Sequence, residues 1–329
     1  MSWSGRPVLV TGAGGFIGSH LVEELVRRGA RVRAFLHYGV TGDRGQLEWA
    51  EPGVLDSVEF VSGDLRDVDT IAQAVKGRDC VFHLAALVGI PYSYRSPRDV
   101  VETNVIGTLN VLQACRETDV SRLVHTSTSE VYGSARTVPI REDHPLQGQS
   151  PYSATKIGAD HLVESFWRSF GLPATIVRPF NTYGPRQSAR AIIPTVIIQA
   201  LAGEVLRLGS LAPTRDFNFV TDTVAGFIRV AECDAALGDV FNLGTGRETS
   251  VGELIGIVGD LVGRPLVVEE DPQRLRPAAS EVDRLVADAS KVRERCGWAP
   301  AVTLEEGLRR TIDWVAEHRT LYRPETYSV

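Results

Sequence analysis

The chain has 329 residues, 43% of them apolar and 23% charged, with a formal net charge of −6. That length exceeds one average domain of roughly 100 to 150 residues and suits a larger lobe joined to a smaller one. The acidic balance without a basic run argues against nucleic acid as a partner, no window of about 18 apolar residues offers a membrane span, and the start of the chain lacks a secretory pattern, so a cytoplasmic location is expected.

In chain order, the runs PVLV, RVRAFL, VEFV, CVFHLA, RLVHTS and ATIVRP alternate with longer amphipathic stretches up to about residue 180. Their weak polar alternation predicts parallel strands buried on both faces and joined by crossover helices, a doubly wound α/β sheet over residues 1–182. After Pro179 the chain turns to Gly- and Pro-punctuated segments, with helix-like stretches at about 191–202, 222–233, 251–262 and 304–318. These predict a smaller C-terminal α/β lobe over 183–329, with strand-like segments near 216–246 returning to the first lobe. The cysteines Cys80, Cys115, Cys233 and Cys296 share no paired spacing, which favours reduced thiols over disulfides or a metal site.

Between the first run and the first amphipathic stretch lies Thr11-Gly12-Ala13-Gly14-Gly15-Phe16-Ile17-Gly18. In a strand-to-helix turn, Gly12 permits the tight bend, Gly15 lets backbone N–H groups of Phe16 and Ile17 approach a pyrophosphate, and Gly18 lets helix pack on sheet. This is the phosphate cradle of a Rossmann-type dinucleotide fold. The second run ends in Leu36-His37-Tyr38 without a carboxylate, so NAD is the expected cofactor while the 2′-phosphate of NADP still finds room, with His37 or Arg44 beside it.

Tyr152 and Lys156 stand four residues apart in PYSATK, which places both on one face of a helix. A tyrosine near an ammonium, and near the positive nicotinamide of an oxidised cofactor, is expected to ionise below its usual pKa of about 10 and to move a hydroxyl proton. Upstream, HTSTSEVYG puts Thr128, Ser129 and Glu130 where a strand end delivers side chains to the sheet's carboxyl edge. Thr128 suits a hydrogen bond to the same hydroxyl, and Glu130 adds a second proton-transfer group.

The motifs TGAGGFIG, GDL, HLAA, STSEVYG, PYSATK, RPFNTYGPRQ, RDFNFV and FNLGTG resemble those of extended short-chain dehydrogenases, the NAD-dependent epimerase/dehydratase family. The similarity is closest to bacterial nucleotide-sugar 4,6-dehydratases, notably the UDP-N-acetylglucosamine 4,6-dehydratases of legionaminic acid pathways. The resemblance implies that Asp64 and Leu65 contact adenine and that Ala85 and Ala86 let the backbone pass the cofactor. It implies further that Asn181 and the cations Arg186, Arg190, Arg215 and Arg276 bind the sugar and diphosphate. The helices from about Asp99 to Glu117 and Tyr152 to Phe170, with Ile157, Phe166 and Trp167 taken as outward, would form a homodimer's four-helix interface.

One departure stands out. The dTDP-glucose 4,6-dehydratase pattern is STDEVYG, and this chain has Ser129 at the aspartic acid's place. UDP-glucuronate decarboxylases also carry STSEVYG, with Arg186 or Arg190 then free to hold a C6 carboxylate. Decarboxylase and 4-epimerase therefore stand beside dehydratase, and a catalytically silent NAD(P)-sensing scaffold is a third, disfavoured by the intact Thr128, Tyr152 and Lys156.

Overall fold

The computed structural model describes residues 2–39, 43–274, 277 and 280–322. The six apolar runs form β1 (Pro7–Thr11), β2 (Arg31–His37), β3 (Glu59–Gly63), β4 (Cys80–His83), β5 (Arg122–Thr126) and β6 (Ala174–Pro179). They lie in the order β3-β2-β1-β4-β5-β6, with Val240–Leu243 added beyond β6 as the edge strand of a seven-stranded sheet. Every neighbouring pair is parallel. All carboxyl ends therefore point to one edge, and the order reverses between β1 and β4, where α/β sheets open a ligand crevice.

Alternation along the strands sorts the core into two layers. Val8, Val10, Phe82, Val124 and Val177 face Leu21 and Leu25 of α1 (Phe16–Arg27) and Phe227 and Ile228 of the helix Val220–Glu232. Leu9, Val81, Leu123 and Ile176 face Ile71 of α2 (Val68–Val75), Val111 and Leu112 of α3 (Gly107–Glu117), and Val163 and Phe166 of α4 (Pro151–Phe170). Each such side chain contributes about 1.5–3 kcal/mol by leaving water. The sheet's interior strands have no wet face, which is why their sequences hardly alternate.

Helix α4 begins on a reciprocal cap, Ser150 accepting from the Ser153 N–H while Ser153 accepts from that of Ser150, with Pro151 in the first turn and Gly171 in the left-handed conformation at its end. The C-terminal half adds the helices Ile192–Ala202, Val251–Val262 and Leu304–Glu317 and small separate sheets of two or three short strands. Phe217–Phe219 pairs with Asn181–Tyr183, the continuation of β6 past Pro179, rather than with the main sheet. A third apolar cluster, including Val131, Tyr132, Ile140, Phe180 and Leu285, seats the turn after β5 against the C-terminal part of the chain.

Three residues taken as outward-facing are packed inside the chain. Phe166 is buried in the core under β6, half-buried Ile157 packs on the third cluster, and the Trp167 indole lies where a side chain on Gly238 would sit. Because α4 lies against the sheet, its amphipathic stripe points inward. The exposed apolar groups on this side are instead Val101, Ile106 and Phe170. Among the described residues no helix is long and apolar enough to cross a membrane.

Candidate active site

The glycine turn meets β4 at the switch point. Gly12 has φ +69°, and a Cβ there would lie 2.8 Å from the Ala85 nitrogen, so both conformation and space demand glycine. A Cβ on Gly18 would sit 2.1 Å from the Gly12 carbonyl oxygen, whereas one on exposed Gly15 meets only that oxygen, at 3.1 Å. Helix α1 starts after Gly15 with no capping side chain among the described residues and no acidic residue in its first turn. Its first N–H groups and the positive end of its dipole thus face the crevice, an anion-binding arrangement. Thr11 Oγ1 accepts from the Ala85 N–H at 3.2 Å and holds the two strand ends together.

Around this cradle the sequence-derived residues take different positions. His37 ends β2 and is exposed. The Asp64 carboxylate is held by Arg66, whose hydrogen bonds keep its pKa below the usual range. The Leu65 side chain is buried against Gly107, where an added Cβ would lie 2.7 Å away, so Leu65 serves the core and offers a ligand only its backbone. Ala85 and Ala86 are half-buried beside the glycine turn.

Tyr152 and Lys156 lie on α4 against the end of β5, and both are buried. The Tyr152 hydroxyl faces the Thr128 side chain, and the Thr128 hydroxyl accepts from the Glu130 N–H at 3.2 Å. Lys156 Nζ donates to the Thr126 carbonyl at 2.6 Å. Burial pushes the Tyr152 hydroxyl well above its ordinary pKa, the neighbouring Thr128 side chain only partly offsets it, and the charges of Glu130 and Asp160 push upward as well. Within the chain alone desolvation of the phenolate wins, and the expected lowering belongs to Lys156 acting together with the positive nicotinamide of an oxidised cofactor. Burial also pulls Lys156 down to about 8, against the opposing charge of Asp160. Ser129 is buried beneath Thr128 and Glu130, both half-exposed.

The four arginines separate. Arg186 is buried, donating to Glu23 Oε2 at 2.6 Å and to the Trp49 carbonyl at 2.8 Å; these partners make it a tie between loop and helix α1, not a cation open to a diphosphate. Arg215 donates to the Thr214 carbonyl at 2.9 Å and has Nη2 3.5 Å from Glu281. Arg190 is exposed across from Gly89, where an added Cβ would lie 3.9 Å from its guanidinium. Arg276 lies outside the described residues. The Asn181 side-chain oxygen is buried without a hydrogen-bond partner among the described residues, an acceptor left open.

Sequence reasoning overlooked the charged layer beneath the pair. His83 bridges Thr11 (2.8 Å) and Thr108 (3.0 Å), and its ring lies 5.5 Å from that of His125. Arg178 of β6 donates to Asp160 through Nε at 3.1 Å and Nη2 at 3.0 Å. The signal was present: an arginine inside the apolar strand ATIVRP requires a buried carboxylate, and Asp160 follows Lys156 by four residues.

A family model described as GDP-mannose 4,6 dehydratase matches residues 9–311. The chain belongs to that family, among the extended short-chain dehydrogenases. It is 34% identical over 331 residues to a dTDP-glucose 4,6-dehydratase of Xanthomonas campestris pv. campestris, covering 95% of this chain and 93% of that one. It is also 35% identical over 312 residues to a UDP-glucose 4-epimerase of Mycolicibacterium smegmatis, covering 93% and 97%. The solved dTDP-glucose 4,6-dehydratase of Streptomyces venezuelae, which holds NAD, superposes with a TM-score of 0.86 at 33% identity over 96% of this chain and 99% of that one. Family membership thus spans both dehydratases and epimerases of nucleotide sugars.

Proposed function

We propose that this protein is an NAD-dependent nucleotide-sugar 4,6-dehydratase, acting on UDP-N-acetylglucosamine or another nucleotide-activated hexose. The observation that carries the reading is one carboxylate and two hydroxyls converging past the end of β5: Glu130 and Thr128 from the turn after the strand, and Tyr152 facing them from α4. A 4-epimerase needs a base at one carbon, whereas a dehydratase must also move the C5 proton, and Glu130 supplies that second group.

The cradle fits a dinucleotide, because the uncapped start of α1 and the close approach of Gly12 to Ala85 leave backbone where phosphates dock. Gly12, Gly15, Phe16, Ile17 and Gly18 would hold the diphosphate. His37, Asp64, the Leu65 backbone, Ala85 and Ala86 would flank the rest, with Tyr152 and Lys156 reaching the nicotinamide side. Bound there, NAD supplies reversible two-electron oxidation at C4 of the sugar; without a repelling carboxylate after β2, NADP also has room.

Tyr152 takes the proton of the 4-hydroxyl, whose oxygen Thr128 orients. Once C4 is a ketone, the C5–H bond is acidic, and Glu130 removes that proton and passes it to the leaving 6-hydroxyl. The C5–C6 double bond so formed would take back at C6 the hydride that left C4 and regain a proton at C5, so that the reaction is redox-neutral overall. Lys156 contributes positive charge beside the phenolate, and Ser129 supports the turn without a proton to give. Asn181, Arg190 and Arg215 bind sugar and diphosphate, where guanidinium groups suit the dianion. A homodimer through the helical segment from about Asp99 to Glu117 and α4 completes the reading, with exposed Val101, Ile106 and Phe170 as its apolar contacts.

A second reading, 4-epimerase, is favoured by one observation: buried Ser129 stands where the dehydratase pattern carries an acid. The two separate on product. Incubation with UDP-N-acetylglucosamine, dTDP-glucose, and GDP- and CDP-hexoses should yield a 4-keto sugar lighter by one water; unchanged or merely epimerised sugar overturns the dehydratase.

A further inference from the structure

Tyr152, Lys156 and Asp160 are spaced by four along α4, so their side chains descend one face of the helix in successive turns. Each meets a different residue at the end of β5. Tyr152 faces Thr128, Lys156 donates to the Thr126 carbonyl, and Asp160 Oδ2 accepts from the Ser127 hydroxyl at 2.8 Å. The first two serve proton transfer in the function proposed above. Asp160 lies a turn deeper, 2% exposed, out of reach of any sugar.

A buried carboxylate is costly unless its lone pairs are met. Here Arg178 grips Oδ2 from β6 through two nitrogens, and the same guanidinium donates to the Tyr132 hydroxyl at 3.0 Å, which in turn donates to Asn242 at 2.7 Å. Oδ1 receives no hydrogen bond among the described residues and stands 3.4 Å from His125 Nε2. The other groups facing this layer are His83 from β4, His125 from β5, Tyr132 from the turn after β5, and Tyr152 with Glu130 on the cleft side. Burial keeps both histidines neutral, with His125 drawn down to about 4, and holds Tyr132 up at about 12. The anion set directly under the Lys156 ammonium is therefore Asp160.

We propose that Asp160 is the positioning residue of the Tyr152–Lys156 pair: its carboxylate, clamped by Ser127 and Arg178, sets the register of α4 on β5 and lays a counter-charge one turn beneath the Lys156 ammonium. The inference rests on the reading of Tyr152 and Lys156 as the proton-transfer pair. A neutral amide at 160 keeps the shape and removes the counter-charge, so Lys156 should surrender its proton more readily. Mere loosening of the layer would do the reverse, admitting water and returning Lys156 toward the ordinary lysine value of about 10.4.

The chain contains three lysines, Lys76, Lys156 and Lys291, so NMR of lysine-labelled protein can follow Lys156 without any substrate, its signal assigned by loss in Lys156→Met. Asp160→Asn should weaken proton binding at Lys156 by about tenfold or more and move the alkaline limb of the pH–rate profile toward acid. A Lys156 midpoint that stays put or rises overturns the proposal. If Asp160→Asn fails to fold, Ser127→Ala keeps the ion pair and removes the tie to β5. It should lower kcat about fivefold or more at unchanged KM and shift the Lys156 signal, and a variant matching wild type in both overturns the proposal. A protein that dehydrates no sugar yet shows the Asp160-dependent titration supports the counter-charge and rejects only the assigned reaction.

Discussion

Arg186 and Glu23, 163 residues apart, meet at 2.6 Å with both side chains buried, and Arg186 holds φ +69° to make the contact. The pair ties the loop after β6 to helix α1, the helix whose start forms the phosphate cradle. Glu23 also accepts from the Glu51 N–H at 2.8 Å, so the segment after β2 is drawn into the same tie.

Removing one partner of such a pair leaves a charge stranded. Arg186→Met should destabilise the protein by about 3–5 kcal/mol, read by urea or thermal unfolding. Burial pushes the Glu23 pKa up, but the Arg186 hydrogen bond and charge, with the Glu51 N–H, hold it below its ordinary value. Its contribution is therefore complete above the unfolded carboxylate's pKa of about 4.3 and is lost as pH falls through the lowered folded value. The gap between wild type and variant should narrow in acid; a gap constant from pH 7 to 3 would refute the pairing.

Lys156 trades stability for chemistry. Its folded pKa of about 8 lies below the unfolded value, so between about pH 8 and 10.4 the unfolded chain binds more protons and wild-type stability rises with pH. Below pH 8 the buried ammonium costs stability. Lys156→Met should therefore be more stable at pH 7, by about 1–3 kcal/mol, with the difference vanishing above about pH 10, while turnover falls roughly a hundredfold or more. Equal melting temperatures at pH 7 and pH 10 would count against a buried charge.

The two glycines flanking the start of α1 should fail in different ways. Gly18→Ala forces a Cβ to 2.1 Å from the Gly12 carbonyl and should cost more than about 2 kcal/mol of stability. Gly15→Val meets only one atom at 3.1 Å and should stay folded, yet its branched side chain blocks the phosphate approach. Undiminished NAD retention after purification of Gly15→Val would remove Gly15 from the cradle.

Glu130→Gln separates oxidation from elimination. The amide keeps shape and hydrogen bonding but cannot take a proton. With the proposed mechanism, substrate addition should produce reduced cofactor and 4-keto sugar, seen as new near-ultraviolet absorbance. Deuterium exchange at C5 and loss of the 6-hydroxyl should both drop about a hundredfold. Ser129→Ala should change either by less than about threefold. Wild-type dehydration by Glu130→Gln would make Glu130 a turn residue.

What the sequence determined by itself is local. The six apolar runs appear as strands because burial on both faces suppresses polar alternation within a few residues. The glycine turn is readable because steric demands act between neighbours, and Tyr152 and Lys156 pair on one face because a helix turns every 3.6 residues. Only the tertiary structure decided which buried charges meet. An arginine in NTYGPR is spelled the same whether it faces a phosphate or Glu23, and Arg178 reveals a need for an anion without naming Asp160. Likewise Phe166 and Trp167 read as an exposed seam until α4 is laid on the sheet and turns them inward. Hydrogen bonds and ion pairs reach about 3 Å while their partners stand tens to hundreds of residues apart, so the chain must fold before either partner is defined.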